Sequence, residues 1–400
     1  MQFRQLFQTV LKFRAQILNN QSVLPKALFV CINFDKDPDF AALVGEGIAL
    51  VRSANYNILE TVVANKARID PKFFIGSGKV EEIKSLCDAL EIKTVIINHK
   101  LTPLQERNLE VELKRTVIDR TRLILDIFAS RVKSKDGVLQ VELATLSHQL
   151  SRLVRRWSHL ERQKGGIGLR GGPGETQMEL DKRMIREKIK NLKKQLAIAV
   201  KQRHTMRQHR FKQKVFSTSI VGYTNAGKST LFNTLTKSKA YVEDRLFATL
   251  ETTSRQLYLG SDVPGIVISD TVGFIRELPH TLVAAFRATL EETVHSNLLL
   301  HVVDCADLLR ERQIEDVNLV LKEIKADNIP QLIVYNKIDL KPGLEPKIVY
   351  IGEGNPGEVY VSAINKQGMA LLTQAILEKM QYLENNNDIH QEYVYEPWKH

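Results

Sequence analysis

The stretch that decides the fold of the C-terminal half reads VFSTSIVGYTNAGKST and spans residues 215–230. Its first seven residues predict a strand, and the residues after Gly227 predict a helix. Between them lies the pattern GxxxxGK[ST], in the strand-to-helix context that a phosphate-binding loop requires. Two glycines let the backbone wrap so that its N–H groups converge on phosphates, and the helix N-terminus adds positive partial charge. The stretch therefore predicts nucleotide binding.

Two side chains of this loop carry the expected chemistry. Lys228 is predicted to reach the β- and γ-phosphates, and the Ser229 hydroxyl is predicted to bind Mg²⁺. The backbone of the loop supplies the remaining contacts. The predicted nucleotide-binding residues are Gly222, Tyr223, Thr224, Asn225, Ala226, Gly227, Lys228, Ser229 and Thr230.

Two elements further along the chain identify the base. Asn336-Lys337-Ile338-Asp339 follows the predicted strand QLIVY and has the form NKxD. The Asp339 carboxylate can accept hydrogen bonds from guanine N1–H and from its 2-amino group, and adenine lacks both donors. Ser362-Ala363-Ile364 also follows a strand, where a backbone N–H can reach guanine O6. Together, in this order, they predict that the ligand is GTP or GDP.

Two segments between the loop and NKxD predict contacts to the γ-phosphate and the metal. Asp270-Thr271-Val272-Gly273 has the form DxxG, which places a carboxylate near Mg²⁺ and a glycine N–H near the γ-phosphate. Phe247-Ala248-Thr249-Leu250-Glu251 precedes it, and the Thr249 hydroxyl could complete the Mg²⁺ shell. The predicted metal ligands are thus Ser229 and Thr249. The predicted catalytic residues are Lys228, Thr249 and Gly273.

The first 120 residues alternate apolar, strand-length runs with helical spacing. Residues 27–34, 58–63 and 94–98 predict strands, and 40–53, 80–90 and 103–114 predict helices. This alternation predicts a small α/β domain with a largely parallel sheet. Gly76-Ser77-Gly78-Lys79 resembles the end of a phosphate-binding loop, but Phe73 stands where the earlier glycine is needed. We therefore interpret it as the start of a helix.

The middle of the chain predicts a helical hairpin. Apolar residues recur at heptad spacing in two runs, first Leu139, Leu143, Leu146, Leu150, Leu153, Trp157 and Leu160, then Ile185, Ile189, Leu192, Leu196 and Ala199. KGGIGLRGGPGE (164–175) lies between them, with six glycines in ten positions. Glycine costs about 1 kcal/mol and proline about 3 kcal/mol inside a helix, so the first arm must stop there.

Positive charge is concentrated in this hairpin. Residues 151–214 contain 19 Lys and Arg against 5 Asp and Glu, a net charge of +14, whereas the whole chain carries +11. The glycine-rich tip is flanked by Arg155, Arg156, Arg162, Lys164 and Arg170. A local excess of this size predicts a polyanionic partner, nucleic acid first and anionic lipid second. The alternative is a solvated helix face, which is what most charge runs are.

These patterns predict four segments. They are an N-terminal α/β domain (1–120), a helical hairpin with a basic tip (121–212), a nucleotide-binding domain (213–383) and a C-terminal tail (384–400).

The composition, with 43% hydrophobic and 26% charged residues, is that of a globular protein. The three cysteines are far apart, which disfavours a zinc site or a disulfide framework and predicts a reducing compartment. No apolar run reaches the roughly 18 residues of a membrane span, so we expect a cytoplasmic protein. The basic, amphipathic start MQFRQLFQTVLKFRAQIL leaves weak contact with a membrane surface as an alternative.

Several longer runs resemble the HflX family of GTPases. They are DTVGFIRELPHTLVAAFRATLEE (270–292), VIDRTRLILDIFASR (117–131), GGIGLRGGPGETQMELDKR (165–183) and the KVEEI after Gly78. The resemblance covers about residues 27–383. It implies a Ras-like domain with a mostly parallel sheet, GTP hydrolysis with Mg²⁺, and binding to the large (50S) ribosomal subunit and its RNA. It further implies a role in splitting or rescuing stalled ribosomes, and we expect a monomer.

Three positions qualify what the resemblance implies. Family members usually read FATLDPT where this chain has FATLETT, so the proline that fixes φ is missing and the contact of Glu251 is left open. Phe274 follows DxxG, where many Ras-like GTPases carry the glutamine that orients the attacking water. Intrinsic hydrolysis is therefore expected to be slow, with the missing help supplied by a partner, a potassium ion or loop ordering. Asn225 stands where some GTPases help to bind K⁺.

Two alternatives to a ribosome-coupled GTPase stay open at this point. One is a pure binding module in which the nucleotide only sets the conformation. The other is a GTPase that acts in RNA processing, in ribosome biogenesis or at the membrane.

Overall fold

The computed structural model describes residues 24–34, 37–66, 68–163, 173–212, 215–237, 246–250, 252–257, 265–276, 282, 290 and 292–386. For residues 153–163, 173–178, 200, 203, 204 and 206–212 it describes the backbone only. The predictions for the N-terminal basic segment, for Lys164 and Arg170 of the tip, for Glu251 and for residues 387–400 lie outside these ranges. The chain divides into two compact units, Met1–Leu196 and Ala197–His400. The predicted boundaries at residues 120, 212 and 383 remain predictions.

The first unit contains a sheet of four parallel strands. In the described residues these are β1 (Lys26–Phe34), β2 (Asn57–Lys66), β3 (Thr94–Ile97) and β4 (Thr116–Asp119), in the order β2-β1-β3-β4. Four helices follow the strands in turn: α1 (Phe40–Ser53), α2 (Ser77–Ala89), α3 (Pro103–Leu113) and α4 (Arg120–Arg131). Every residue of β1 from Ala27 to Ile32 is at most 1% exposed. Such a run is typical of a parallel sheet covered on both faces, and it confirms the predicted α/β fold.

Local capping explains where two of these helices begin. The Thr102 hydroxyl accepts a hydrogen bond from the Gln105 backbone, the Gln105 side chain accepts one in return, and Pro103 occupies the first helical position of α3. Asp119 ends β4 and caps α4, because its Oδ1 accepts from the Arg122 N–H at 2.9 Å. The turn from β4 into α4 is therefore specified by one carboxylate.

The helical hairpin consists of α5 (Lys135–Gln163) and α6 (Pro173–Lys212). The side chains of Leu146, Ile185 and Leu192 are buried against one another, and Leu139, Leu143, Leu150 and Ile189 pack around them. This packing confirms the predicted seam from Leu139 to Leu150 on α5 and from Ile185 to Leu192 on α6. In the described residues, α5 extends to Gln163, and α6 begins at Pro173, a position that suits proline because its missing N–H needs no partner there.

The second unit contains a sheet of seven strands among the described residues. They are β5 (Phe216–Gly222), β6 (Thr253–Leu257), β7 (Ile266–Asp270), β8 (Leu298–Asp304), β9 (Gln331–Asn336), β10 (Lys347–Gly352) and β11 (Asn355–Tyr360), in the order β10-β11-β9-β8-β5-β7-β6. The five central strands are parallel, and the edge strands β6 and β10 are antiparallel to their neighbours. Helices α7 (Lys228–Thr236), α8 (Arg310–Glu323) and α9 (Met369–Asn385) complete the described part of this unit. The sequence predicts apolar strands at 215–222, 265–269, 298–303, 331–335 and 358–361 and a last helix at about 366–383. These correspond to the five parallel strands and α9, whereas neither edge strand is predicted.

Within the described part of the chain, no helix is both long enough and apolar enough to cross a membrane.

Candidate functional site

The loop between β5 and α7 can adopt its conformation only because Gly222 and Gly227 are glycines. Gly222 has a φ of +146°, and a Cβ atom there would lie 2.3 Å from the carbonyl oxygen of Val302. Gly227 has a φ of +93°, and a Cβ atom there would lie 2.2 Å from Nδ2 of Asn336. Both backbone angles favour glycine, and both positions lack room for a side chain. The structure thus explains both glycines of the GxxxxGK[ST] pattern.

Lys228 is buried at the start of α7, with 6% of its surface exposed. Its Nζ donates a hydrogen bond to the Tyr223 carbonyl oxygen at 2.6 Å. Burial lowers the pKa of Lys228 to about 8, while the nearby Asp270 carboxylate acts in the opposite direction. An ammonium group held in so little water binds an anion strongly, and the N–H groups at the start of α7 favour the same kind of ligand.

Three oxygen-bearing side chains meet beside this lysine. The Ser229 Oγ lies 2.7 Å from the Thr249 hydroxyl and donates to Asp270 Oδ2 at 2.8 Å. Asp270 is 2% exposed, and its Oδ1 has no hydrogen-bond partner among the described residues. Burial raises the pKa of the Asp270 carboxyl, and the Ser229 hydrogen bond and the Lys228 charge oppose that shift. Two hydroxyls and an unsatisfied carboxylate oxygen form the hard oxygen donor set that suits Mg²⁺ and its bound water.

The segment after Asp270 packs against the phosphate-binding loop. A Cβ atom at Gly273 would lie 2.8 Å from Cγ2 of Thr224 and 3.0 Å from Nζ of Lys228. Phe274 fixes this contact, because its N–H donates to Gly222 O at 3.1 Å and its carbonyl accepts from Thr224 N at 2.7 Å. The Phe274 side chain is 1% exposed. The residue that follows DxxG is therefore part of the core and cannot orient a water molecule.

The predicted base-recognition elements are joined to the phosphate loop by one side chain. Asn336 ends β9; its Nδ2 donates to the Ala226 carbonyl at 3.0 Å, and its Oδ1 accepts from the Ala363 N–H at 3.0 Å. Asp339 is held next to the same segment, because its Oδ1 accepts from Ser362 Oγ at 2.5 Å. Lys337 forms an ion pair with Asp304 at 2.8 Å. The structure thus brings NKxD and Ser362-Ala363-Ile364 together.

Most of the predicted phosphate and metal residues line one cleft. They are Thr224, Asn225, Gly227, Lys228, Ser229, Thr230, Phe247, Ala248, Thr249, Thr271 and Gly273. Tyr223, Ala226, Leu250, Val272 and Ile338 are buried in the surrounding core, and Ile364 is 71% exposed. The sequence prediction missed Asp304, the partner of Lys337. A signal was present, because Asp304 ends the apolar strand β8 at the edge of the sheet where the other site residues lie.

Comparison with known proteins identifies the family. Three family models match successive parts of the chain: a GTP-binding GTPase N-terminal region over residues 42–129, a GTP-binding GTPase middle region over 131–210, and a 50S ribosome-binding GTPase over 217–337. The GTPase HflX of Escherichia coli K12 is 50% identical over 355 residues, which cover 89% of this chain and 83% of that protein. The chain belongs to the HflX family of GTPases. It is therefore an enzyme that hydrolyses GTP, as the sequence predicted.

Other HflX-family members and one solved structure are similar over much of the chain. The GTPase HflX of Magnetococcus marinus is 52% identical over 297 residues, 74% of this chain and 68% of that protein. A crystal structure of a GTP-binding protein from Sulfolobus solfataricus in complex with GDP is 26% identical and covers 90% of this chain and 99% of that chain, with a TM-score of 0.45.

Proposed function

We propose that this HflX-family GTPase acts on the large ribosomal subunit, where GTP hydrolysis is coupled to splitting or rescue of stalled ribosomes under stress. The observation that carries the proposal is the segregation of charge, with a net +14 in residues 151–214 of a chain whose total is +11. A basic hairpin joined to a GTP site provides an RNA-binding arm and a switch in one chain. The family model for a 50S ribosome-binding GTPase supports the same partner. We further propose that the protein is a cytoplasmic monomer.

At the GTP site, we propose one role for each predicted residue. Lys228 would hold the β- and γ-phosphates, and Ser229 and Thr249 would hold Mg²⁺, which would neutralise phosphate charge. The Asp270 Oδ1, which has no hydrogen-bond partner among the described residues, would help these two hydroxyls to hold the hydrated ion. Gly273 presents its N–H to the γ-phosphate, and Asp339 selects guanine. Asn225, which lines the cleft, is the residue that would contact K⁺.

The buried Phe274 determines how hydrolysis is controlled. Since the Phe274 side chain is buried, it cannot position the attacking water as a glutamine in its place would. The proposed partner therefore supplies the missing order or charge. Acceleration of GTP cleavage by large ribosomal subunits would separate a ribosome-coupled enzyme from a pure binding module.

A single-turnover assay tests the coupling. GTP cleavage by the purified chain is measured alone, with large ribosomal subunits, and with subunits plus added K⁺. We expect cleavage to accelerate when subunits are added. Equal rates with and without subunits would refute coupling to the ribosome.

Capture from lysate at low salt, with RNase added to one half, tests the partner class. We expect ribosomal RNA to be retained and the retention to be lost with RNase. Retention of precursor RNA without mature subunits would support the alternative role in RNA processing, and RNase-resistant recovery with vesicles would support a membrane role.

Charge removal at the hairpin tip tests how the RNA is bound. Replacing Arg162, Lys164 and Arg170 together should weaken subunit binding and leave GTP affinity unchanged. Losing three phosphate contacts should reduce the slope of log K against log salt by roughly 3 units, at about 0.9 per contact on duplex. The measurement is subunit affinity across a salt series, and identical slopes would mean that the tip charge is only solvated.

A further inference from the structure

One arginine joins the hairpin to the α/β domain at a buried position. Arg152 lies on α5, twelve residues from the C-terminal end of that helix counting itself. Its Nη2 lies 2.6 Å from Asp119 Oδ2, its Nη1 forms an ion pair with Glu106, and its Nε donates to His148 Nε2 at 3.1 Å. The side chains of Arg152, Glu106 and Asp119 are 15%, 7% and 0% exposed. We call these three residues the arginine latch.

The latch joins three separate elements. Glu106 lies on α3, Asp119 ends β4 and caps α4, and Arg152 comes from the hairpin. Both carboxylates are themselves held, since Asp119 accepts from the Arg122 and Leu101 backbones and Glu106 lies in the capped first turn of α3. A guanidinium is planar, so opposing contacts on separate nitrogens fix its direction as well as its position.

Stability alone does not account for three buried charges here. Burying such groups carries a large desolvation penalty, and apolar residues of the same volume are often as stabilising. The seam of α5 and α6 shows that this chain has apolar packing available for helix contacts. What the ion pairs add is a defined geometry, because they are strong only in one relative orientation of helix and domain.

Because the latch lies some distance from the end of α5, a small change in the helix angle at the latch moves that end by several ångströms. From Arg152 to Gln163 the helix continues for roughly 17 Å at 1.5 Å per residue. A tilt of about 10° at the latch would move the end of the arm by roughly 3 Å, which is enough to break a phosphate contact.

We propose that Arg152 is a positioning residue that sets the angle at which the hairpin leaves the α/β domain, and thereby places the basic tip on ribosomal RNA. The inference rests on the proposed function for its RNA ligand, but the geometric part does not depend on it. Arg152 itself is buried and is not an RNA contact.

The test uses the full chain with the latch neutralised as a set, Glu106→Gln, Asp119→Asn and Arg152→Met, so that no buried charge is left alone. Asparagine still caps a helix, so α4 keeps its start. Spin labels on Val111→Cys, which is 68% exposed in the wild type, and on the exposed Glu179→Cys report the angle, because the three native cysteines are buried. The matched control is Arg183→Met, which removes one charge from the same hairpin at a side chain that is 73% exposed.

We expect the neutral set to broaden the label–label distance distribution and to weaken large-subunit binding at least about tenfold, the loss of a few phosphate contacts. GTP affinity should not change. Arg183→Met should keep the narrow distribution. If the neutral set does not fold, Arg152→Lys replaces it, since one ammonium cannot keep all three contacts and should also broaden the distribution.

An unchanged, narrow distribution in the latch variant would overturn the inference. If the wild-type chain fails to bind large subunits, the proposed function fails instead, while the distance measurement still decides whether the latch sets the angle.

Discussion

One cluster in each unit buries charged side chains, and the two clusters do so in opposite ways. In the first unit, Arg152 faces Asp119 and Glu106, so each buried charge meets its opposite within the same unit. In the second unit, Lys228 is bound to a neutral carbonyl and Asp270 keeps one carboxylate oxygen without a partner among the described residues. The arginine latch is a closed cluster, because its charges are paired with one another, and it holds structural elements together. The GTP site is an open cluster, because a buried polar atom is left without a partner among the described residues, and it can therefore still bind a ligand.

The strongest test of this contrast removes one cation from each cluster. Lys228→Met should abolish GTP binding, a loss of more than about 3 kcal/mol, because a charged phosphate partner disappears. The nucleotide-free protein should keep its melting temperature, since burial already disfavours this ammonium. Calorimetric titration with GTP and a melting curve provide the two measurements. Retained GTP affinity would exclude Lys228 from the phosphate site.

In the arginine latch, the change that matches Lys228→Met is Arg152→Met. It should lower the free energy of unfolding by about 3–5 kcal/mol, because two buried carboxylates lose their counter-charge. GTP affinity measured below the melting transition should stay the same. Denaturant unfolding provides the measurement. A loss below about 1 kcal/mol would show that water reaches the pair and that the cluster is not closed.

A smaller effect is expected at Asp339, in the part of the GTP site that is proposed to recognise guanine. Asp339→Asn replaces an acceptor oxygen with an NH₂ donor, which would face the guanine amine donor to donor. An unpaired polar group of this kind costs about 1–3 kcal/mol, and xanthine carries a carbonyl where guanine has the amine. The variant should therefore prefer xanthosine triphosphate in competitive binding. General destabilisation with GTP still preferred would mean that Asp339 only holds Ser362.

An effect of comparable size is expected from pH at His148, which contacts Arg152 of the arginine latch. Burial lowers the pKa of His148 to about 4 from its usual value near 6.5, so the folded protein keeps a neutral imidazole that accepts from Arg152. The unfolded chain binds this proton first, so the stability due to neutral His148 is present above pH 6.5 and is lost as pH falls toward 4. Wild type should lose up to about 3 kcal/mol relative to His148→Gln over that interval. Parallel unfolding curves at pH 7, 5.5 and 4.5 provide the measurement, and a constant difference would contradict the pKa assignment.

The residues of the GTP site could be predicted from the sequence, whereas those of the arginine latch could not. Glycines, lysine and serine of the phosphate loop stand in one short run, because the chemistry fixes their spacing along the chain. Asp119 and Arg152 are 33 positions apart, and no local pattern relates them. The same reasoning covers Lys337 and Asp304, whose ion pair exists only after β8 and β9 lie side by side.

The missed strands have a similar explanation. Strand β6 reads TSRQL, which is polar, and β10 is exposed along most of its length. Edge strands form because a neighbour offers its free hydrogen-bonding side, so their existence depends on tertiary context rather than on local propensity. The central strands β5, β7 and β8 are buried along nearly their whole length and were therefore visible as apolar runs.

Asn336 has a consequence for how a nucleotide is captured. The nitrogen of its side-chain amide donates a hydrogen bond to the phosphate loop, and the oxygen accepts one from the Ala363 backbone. The phosphate-binding and base-binding parts of the pocket are therefore fixed relative to each other when the domain folds. The entropy of arranging them is then lost before any ligand arrives. Guanine and phosphates consequently act as two linked ligands on a rigid receptor, and whichever end docks first presents the other at high effective concentration.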